Sequence, residues 1–377
     1  MADVHRRPLG RIALLLPGGV ALLLGLDAGL LLLGLPAPLR WSRLPDVHGV
    51  VMVLGFVGTV VALERAVALR RTWGYLAPAG FGVGALLLVS AAPAPVGGGV
   101  LVLGAAALVA VYVPLWRRQP AGAVVVQAGG GVLALGAALL SLGGVPMPVL
   151  LPWLAGFLIL TISGERLELA RVALLAPHAE MLAVGASALI AAWVLATVLW
   201  PVAGYPLLGV GMLALTAWLT RYDVARRTVT TIGLPRFMAG CLLAGYAWLA
   251  LAGGVWLVGG ATVAGPGYDA AVHAVFLGFV MSMVMAHAPV ILPAVLRRPL
   301  PDRPVMYGPV LLLHASLILR VAVGDGRGVT WAWQAGGVLN ILAVLAFVAV
   351  AGWSATTARA ASPPARRITR PVPADTP

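Results

Sequence analysis

The sequence predicts an all-α, polytopic integral membrane protein with about 12 transmembrane helices. Three observations predict it. Of 377 residues, 61% are hydrophobic and only 10% charged, with a mean hydropathy of +1.00. Ordinary globular chains carry about 25% charged residues. Many apolar stretches are continuous and reach the roughly 20 residues needed to cross a hydrocarbon core. They do not alternate with period two, which argues against a transmembrane barrel. Backbone in lipid must satisfy its own hydrogen bonds, so the remaining choice is the helix.

Taken in order, breaks at Arg, Pro and Gly bound twelve candidate spans: 12–35, 47–69, 76–93, 98–116, 121–144, 148–172, 178–200, 203–220, 237–259, 268–295, 308–324 and 331–354. The third, fourth and eighth are short and Gly-rich. Basic residues precede the first apolar run, as in a signal peptide. That run is long enough to span and shows no small-residue cleavage site, so it is expected to stay as the first helix. Residues 1–355 read as one twelve-helix domain. Residues 356–377, rich in Arg and Pro, read as a disordered cytoplasmic tail.

The charges orient the chain. The net charge is +13, and all 25 basic residues are Arg. They are spread through short loops rather than gathered on one face, which is the topology signal of membrane proteins and not a nucleic-acid footprint. With the N-terminus inside, 21 Arg fall on the inner side. Only Arg40, Arg43, Arg320 and Arg327 fall elsewhere. Both termini are therefore expected in the cytoplasm. The Arg-only, Ala/Gly/Val/Leu-rich composition points to a GC-rich bacterial genome, and so to the bacterial inner membrane. One cysteine, Cys241, excludes an internal disulfide and a Cys-based metal cluster. No phosphate-cradling loop, zinc-protease helix or serine nucleophile elbow is present.

Helices 2, 6 and 10 look alike. Helix 2 ends "GTVVALERAVALRR" and helix 6 ends "LTISGERLELAR", while "HGVVMVLGFV" in helix 2 matches "HAVFLGFV" in helix 10. Steps of four separate them, which suggests a threefold repeat of four-helix units.

Ionisable groups inside spans are costly and mark function. They are Asp27, His48, Glu64, Glu165, Glu168, His273, His287, His314 and Arg320. His48 and His273 open helices 2 and 10, which run in the same direction, so both lie toward the outer face. His287 lies about 21 Å further down helix 10. On an ideal α-helix it shares a face with His273. His314 falls at a depth close to that of His287. The sequence thus offers an outer pair, His48 and His273, and an inner pair, His287 and His314. A neutral imidazole is the commonest side-chain metal ligand, and two of them from facing helices can hold a haem iron. Met52, Gly55 and Thr59 follow His48 along one face, where the glycines would admit a flat ring or a neighbouring helix. A lone intramembrane His can equally just hydrogen-bond a neighbouring helix. Glu64-Arg65 and Glu165-Arg166 are adjacent pairs, and adjacent residues do not face one another on a helix. A clasp of Glu64 with Arg166 and Arg65 with Glu165 is the structural expectation, and a proton entry site the functional one. Asp27 and Arg320 read as single charges that could snorkel. Trp41, Trp73, Trp116, Trp153, Trp200 and Trp331 read as interface anchors.

Twelve helices with a His at the outer end of helix 2 and another on helix 10 resemble subunit I of haem-copper oxidases. The stretches "DVHGVVMVLGF" and "HAVFLGFVMSMVMAHAPVI" are similar to signals of the NnrS family of haem- and copper-containing membrane proteins of the nitric-oxide response. The resemblance implies haem held by His48 and His273 and a second metal, copper, at His287 and His314. The oxidase copper site takes further histidines from helices 6 and 7. Here helix 6 has none and helix 7 has only His178, so a complete haem-copper centre is not expected. The alternative is a cofactor-free transporter using Asp27, Glu64, Glu165 and Arg320.

Overall fold

The computed structural model describes residues 8–172, 175–296 and 303–357. All regular structure among them is helical. Twelve helices are long and apolar enough to cross a membrane. They are α1 (Gly10–Leu32), α2 (Leu44–Leu69), α3 (Thr72–Val89) and α4 (Ala94–Arg118), then α5 (Gly122–Leu142), α6 (Met147–Arg171), α7 (Pro177–Leu199) and α8 (Pro201–Tyr222). The last four are α9 (Leu234–Gly259), α10 (Gly265–Val290), α11 (Pro304–Asp325) and α12 (Thr330–Thr357). The protein is an all-α polytopic membrane protein. Most of the expected tail, 358–377, lies outside the described residues, as do Arg297 and Arg298. The first two tail positions, Thr356 and Thr357, belong to α12.

Several helices begin a few residues earlier than expected. Prolines taken as breaks sit instead in the first turn of α4, α7, α8, α9 and α10. There the missing N–H costs nothing, because first-turn donors have no partner within the helix. Two helices end on left-handed glycines, Gly34 with φ 71° and Gly144 with φ 77°. At each, crossed bonds satisfy the last carbonyls: Gly34 N–H to Leu31 O with Leu35 N–H to Leu30 O, and Gly144 N–H to Ser141 O with Val145 N–H to Leu140 O. Arg118 donates to Ala68 O and Leu69 O, closing the end of α2.

The three look-alike helices are the three innermost. Of their most apolar windows, 72% in α2, 83% in α6 and 67% in α10 are buried, against 28–56% in the other nine. Close approach of backbones does the packing. A Cβ at Gly80 of α3 would collide with Gly104 of α4, and one at Gly209 of α8 would collide with Gly253 of α9. Helices in lipid associate through such small residues. Large apolar side chains such as Leu103, Leu182 and Leu311 point outward. Trp41, Trp116, Trp200 and Trp331 are exposed at or beside span ends, as anchors should be. Trp153 differs: its ring packs on Gly136 of α5 and its indole nitrogen is buried.

α2 and α10 share a departure from the α-helix. Residues Val51–Gly58 of α2 and Ala274–Met281 of α10 are π-helical, and each stretch contains Leu-Gly-Phe-Val. α6 carries no such stretch. Bonds closing on i+5 turn each residue through roughly 80° instead of roughly 100°. The stretch in α10 lies between His273 and His287, so the angle between their faces departs from that of an ideal α-helix.

Candidate functional site

Polar side chains gather at both ends of α2 and α10. At the ends where these helices begin, the groups are His48, His273, Asp269, Arg320 and Trp333. His48 Nδ1 lies 2.9 Å from Gly25 O of α1. A carbonyl only accepts, so Nδ1 carries the proton and Nε2 keeps its lone pair. His273 Nδ1 lies 2.8 Å from Asp269 O and 3.3 Å from Asp269 Oδ1. The same argument leaves its Nε2 free. The two rings lie within electrostatic reach of each other, and the His273 side chain keeps 18% exposure. A ring nitrogen tied to a backbone carbonyl or carboxylate is the usual outer support of a metal-ligating histidine. The donor set therefore fits a metal centre with two imidazole ligands.

Asp269 is itself fixed. Arg320 of α11 donates to both of its oxygens, at 2.8 and 2.7 Å, and Trp333 Nε1 donates at 3.2 Å. Gly336 and Gly337 of α12 leave room for the Arg320 side chain. Arg320 is thus a buried ion-pair partner and not a snorkelling charge. Asp27 is also engaged: its Oδ1 accepts from Leu39 N at 3.1 Å and ties down the loop after α1. Sequence reading missed Asp269. It stands four residues before His273, a spacing that puts two side chains on one helix face.

The face of α2 expected to admit a flat ring packs against helices instead. Met52 fills the space beside Gly25, Gly55 abuts Ala21 and Ala85, and Thr59 abuts Gly18.

The inner histidines are not brought to a shared position. His287 Nδ1 is 2.7 Å from Met283 O, and its Nε2 is 3.4 Å from the Arg166 guanidinium. His314 Nδ1 accepts from Trp248 Nε1 at 3.0 Å. An indole only donates, so the proton of His314 sits on Nε2, toward Ser282 Oγ at 3.5 Å. Its lone pair is spent, and the cation beside His287 Nε2 opposes a metal there. These residues do not fit a copper site. Among the described residues no three His, Cys, Asp or Glu side chains are grouped to hold a metal ion.

The carboxylates and guanidiniums near the other ends of α2 and α6 form half of the expected clasp. Arg65 Nη2 meets Glu165 at 3.4 Å, as expected, but also its own neighbour Glu64 at 2.6 Å. The two long side chains curl toward each other despite leaving the helix in different directions. Arg65 Nη1 donates to Gln127 of α5 at 3.0 Å. Arg166 does not meet Glu64. It makes a two-pronged pair with Asp223, at 2.6 and 3.0 Å, just past α8. Tyr246 O–H and Ala225 N–H also donate to Asp223, at 2.8 and 2.7 Å. Asp223 lies one residue past α8 and beyond the expected span 203–220, so a search confined to spans passes over it.

A cavity of about 330 Å³ opens beside this second cluster, between α1, α2, α6, α10 and α12. Its walls are apolar except for Glu64, Thr161, Glu165 and His287.

The fold and these clusters define a class: a twelve-span helical membrane protein whose central helices carry paired histidines at one end and a shared-carboxylate cavity toward the other. Residues 11–356 match the family described as domain of unknown function DUF8744, and the chain belongs to it. No curated protein and no solved structure matches the chain.

Proposed function

We propose that the protein binds haem between α2 and α10, where Nε2 of His48 and Nε2 of His273 would hold it. The observation that carries this reading is the hydrogen bonding of the two rings. Each commits Nδ1–H to oxygen and leaves Nε2 free, and the rings are within electrostatic reach. Matching π-helical stretches directly after or close behind both histidines add support, since such stretches concentrate at functional sites.

A bound haem would supply one-electron chemistry at a potential tuned by the residues that hold it. The chain's own residues would do the positioning. Gly25 O holds the His48 tautomer, and Asp269 holds that of His273. Arg320 and Trp333 keep Asp269 in place. The role proposed is in respiratory or nitric-oxide physiology, as in the NnrS and oxidase subunit I proteins the sequence resembles. It involves neither copper nor a haem-copper catalytic centre. The Arg asymmetry supports a bacterial inner-membrane location with both termini cytoplasmic. The alternative is a cofactor-free transporter. Of its four groups Arg320 is committed to Asp269, and Asp27 binds Leu39 N through one of its two oxygens. Glu64 and Glu165 stay available to it.

Titrating the purified protein with ferric haem tests the proposal. A Soret band should saturate at one haem per chain. His48→Ala and His273→Ala should each remove it, and His314→Ala should keep it. Absence of any saturable band, or a band that survives both single changes, overturns the reading.

A further inference from the structure

We propose that the cavity between α1, α2, α6, α10 and α12 binds an amphiphilic organic cation, an alkylammonium or similar head carrying N–H donors on an apolar tail, that enters from the lipid. This proposal does not rest on haem binding.

The polar groups facing the cavity are acceptors. Thr161 O–H is committed to Phe157 O at 2.8 Å. His287 commits Nδ1–H to Met283 O and has its Nε2 lone pair 3.4 Å from the Arg166 guanidinium. The other two polar walls are the carboxylates Glu64 and Glu165. Arg65, the cation they share, is not in the wall. A ligand head that fits must therefore donate.

Charge narrows the choice. Among the described residues, Glu64 and Glu165 share the one guanidinium of Arg65. Arg166 is paired with Asp223. The Glu165 side chain keeps 16% exposure. Two carboxylates that share a guanidinium therefore border an apolar cavity, where charge interactions are weakly screened. A neutral alcohol would bring a donor but no charge to the second carboxylate. A cationic N–H head brings both.

The rest of the cavity fits a tail. Phe56 and Phe347 stand among its walls, and its size is at the lower end of small-molecule sites. On α12 its rim includes Val348, 52% exposed on the flank that faces lipid, and Gly352. An amphiphile dissolved in the bilayer would enter there and place its head at the carboxylates.

The test uses the full chain in nanodiscs of neutral phosphatidylcholine, with radiolabelled octylamine read by scintillation proximity. Saturable binding is expected, competed by unlabelled octylamine and not by octanol, which has the same tail and a neutral head. Glu165→Gln removes the second carboxylate while Arg65 keeps Glu64, and should weaken binding at least tenfold. Val284→Trp fills the cavity without touching a charge and should do the same. Size-exclusion profile and thermal unfolding establish that each variant is folded. If Glu165→Gln does not fold, Val284→Trp and the octanol competition decide. Equal competition by octanol, wild-type affinity in a folded variant, or no saturable binding overturns the proposal.

Discussion

The two ends of the central helices use the same residue types for different ends. Where α2 and α10 begin, two histidines have their Nδ1 protons tied to oxygen and their Nε2 lone pairs free, beside a closed Asp269–Arg320 pair. Toward the other end, His287 turns its Nε2 to a cation and His314 gives its lone pair to Trp248. The carboxylates there outnumber the guanidinium they share. The difference teaches that a histidine in a span is defined by which nitrogen is already spent. The first end offers ligands. The second offers acceptors beside an apolar cavity.

The comparison can be broken or sharpened by substitution. The largest stability effect belongs to Arg166→Ala. It strands Asp223, whose side chain has 0% exposure, and breaking a buried pair from one side costs about 3–5 kcal/mol. Thermal unfolding in detergent should show the largest loss of any variant here. Next is Asp269→Asn, which weakens the support of His273 and frees Arg320. Loss of such outer support lowers metal affinity by about 10–100-fold, to be read in the haem titration. A haem affinity equal to wild type would remove Asp269 from the account. His314→Ala should leave haem binding intact and cost about 1–2 kcal/mol, because the Trp248 N–H loses its acceptor. The smallest effect is Glu64→Gln. Glu64 is 33% exposed, and an ion pair at such a position contributes within about 1 kcal/mol.

The twelve spans were legible because hydropathy over about 20 residues is a strong and local signal. Their ends were less so, since a proline closes one helix or opens another, and only the following turn decides which. That His48 and His273 come to the same end of the bundle followed from helix direction. The π-helical stretch between His273 and His287 did not, because nothing in the composition of "AVFLGFVM" distinguishes a π ladder from an α ladder. The clasp was half legible. Arg65 met Glu165, but the partner of Arg166 is Asp223, 57 residues away and one residue outside a span. The tautomer of His314 depends on Trp248, 66 residues away, and no local pattern records it.

The spin state of bound ferric haem tests the central claim most directly. Low-temperature electron paramagnetic resonance on the wild type should give a low-spin, six-coordinate signal. Either His48→Ala or His273→Ala should abolish it together with the Soret band. A high-spin signal in the wild type, or a low-spin signal unchanged in both variants, would contradict ligation by His48 and His273.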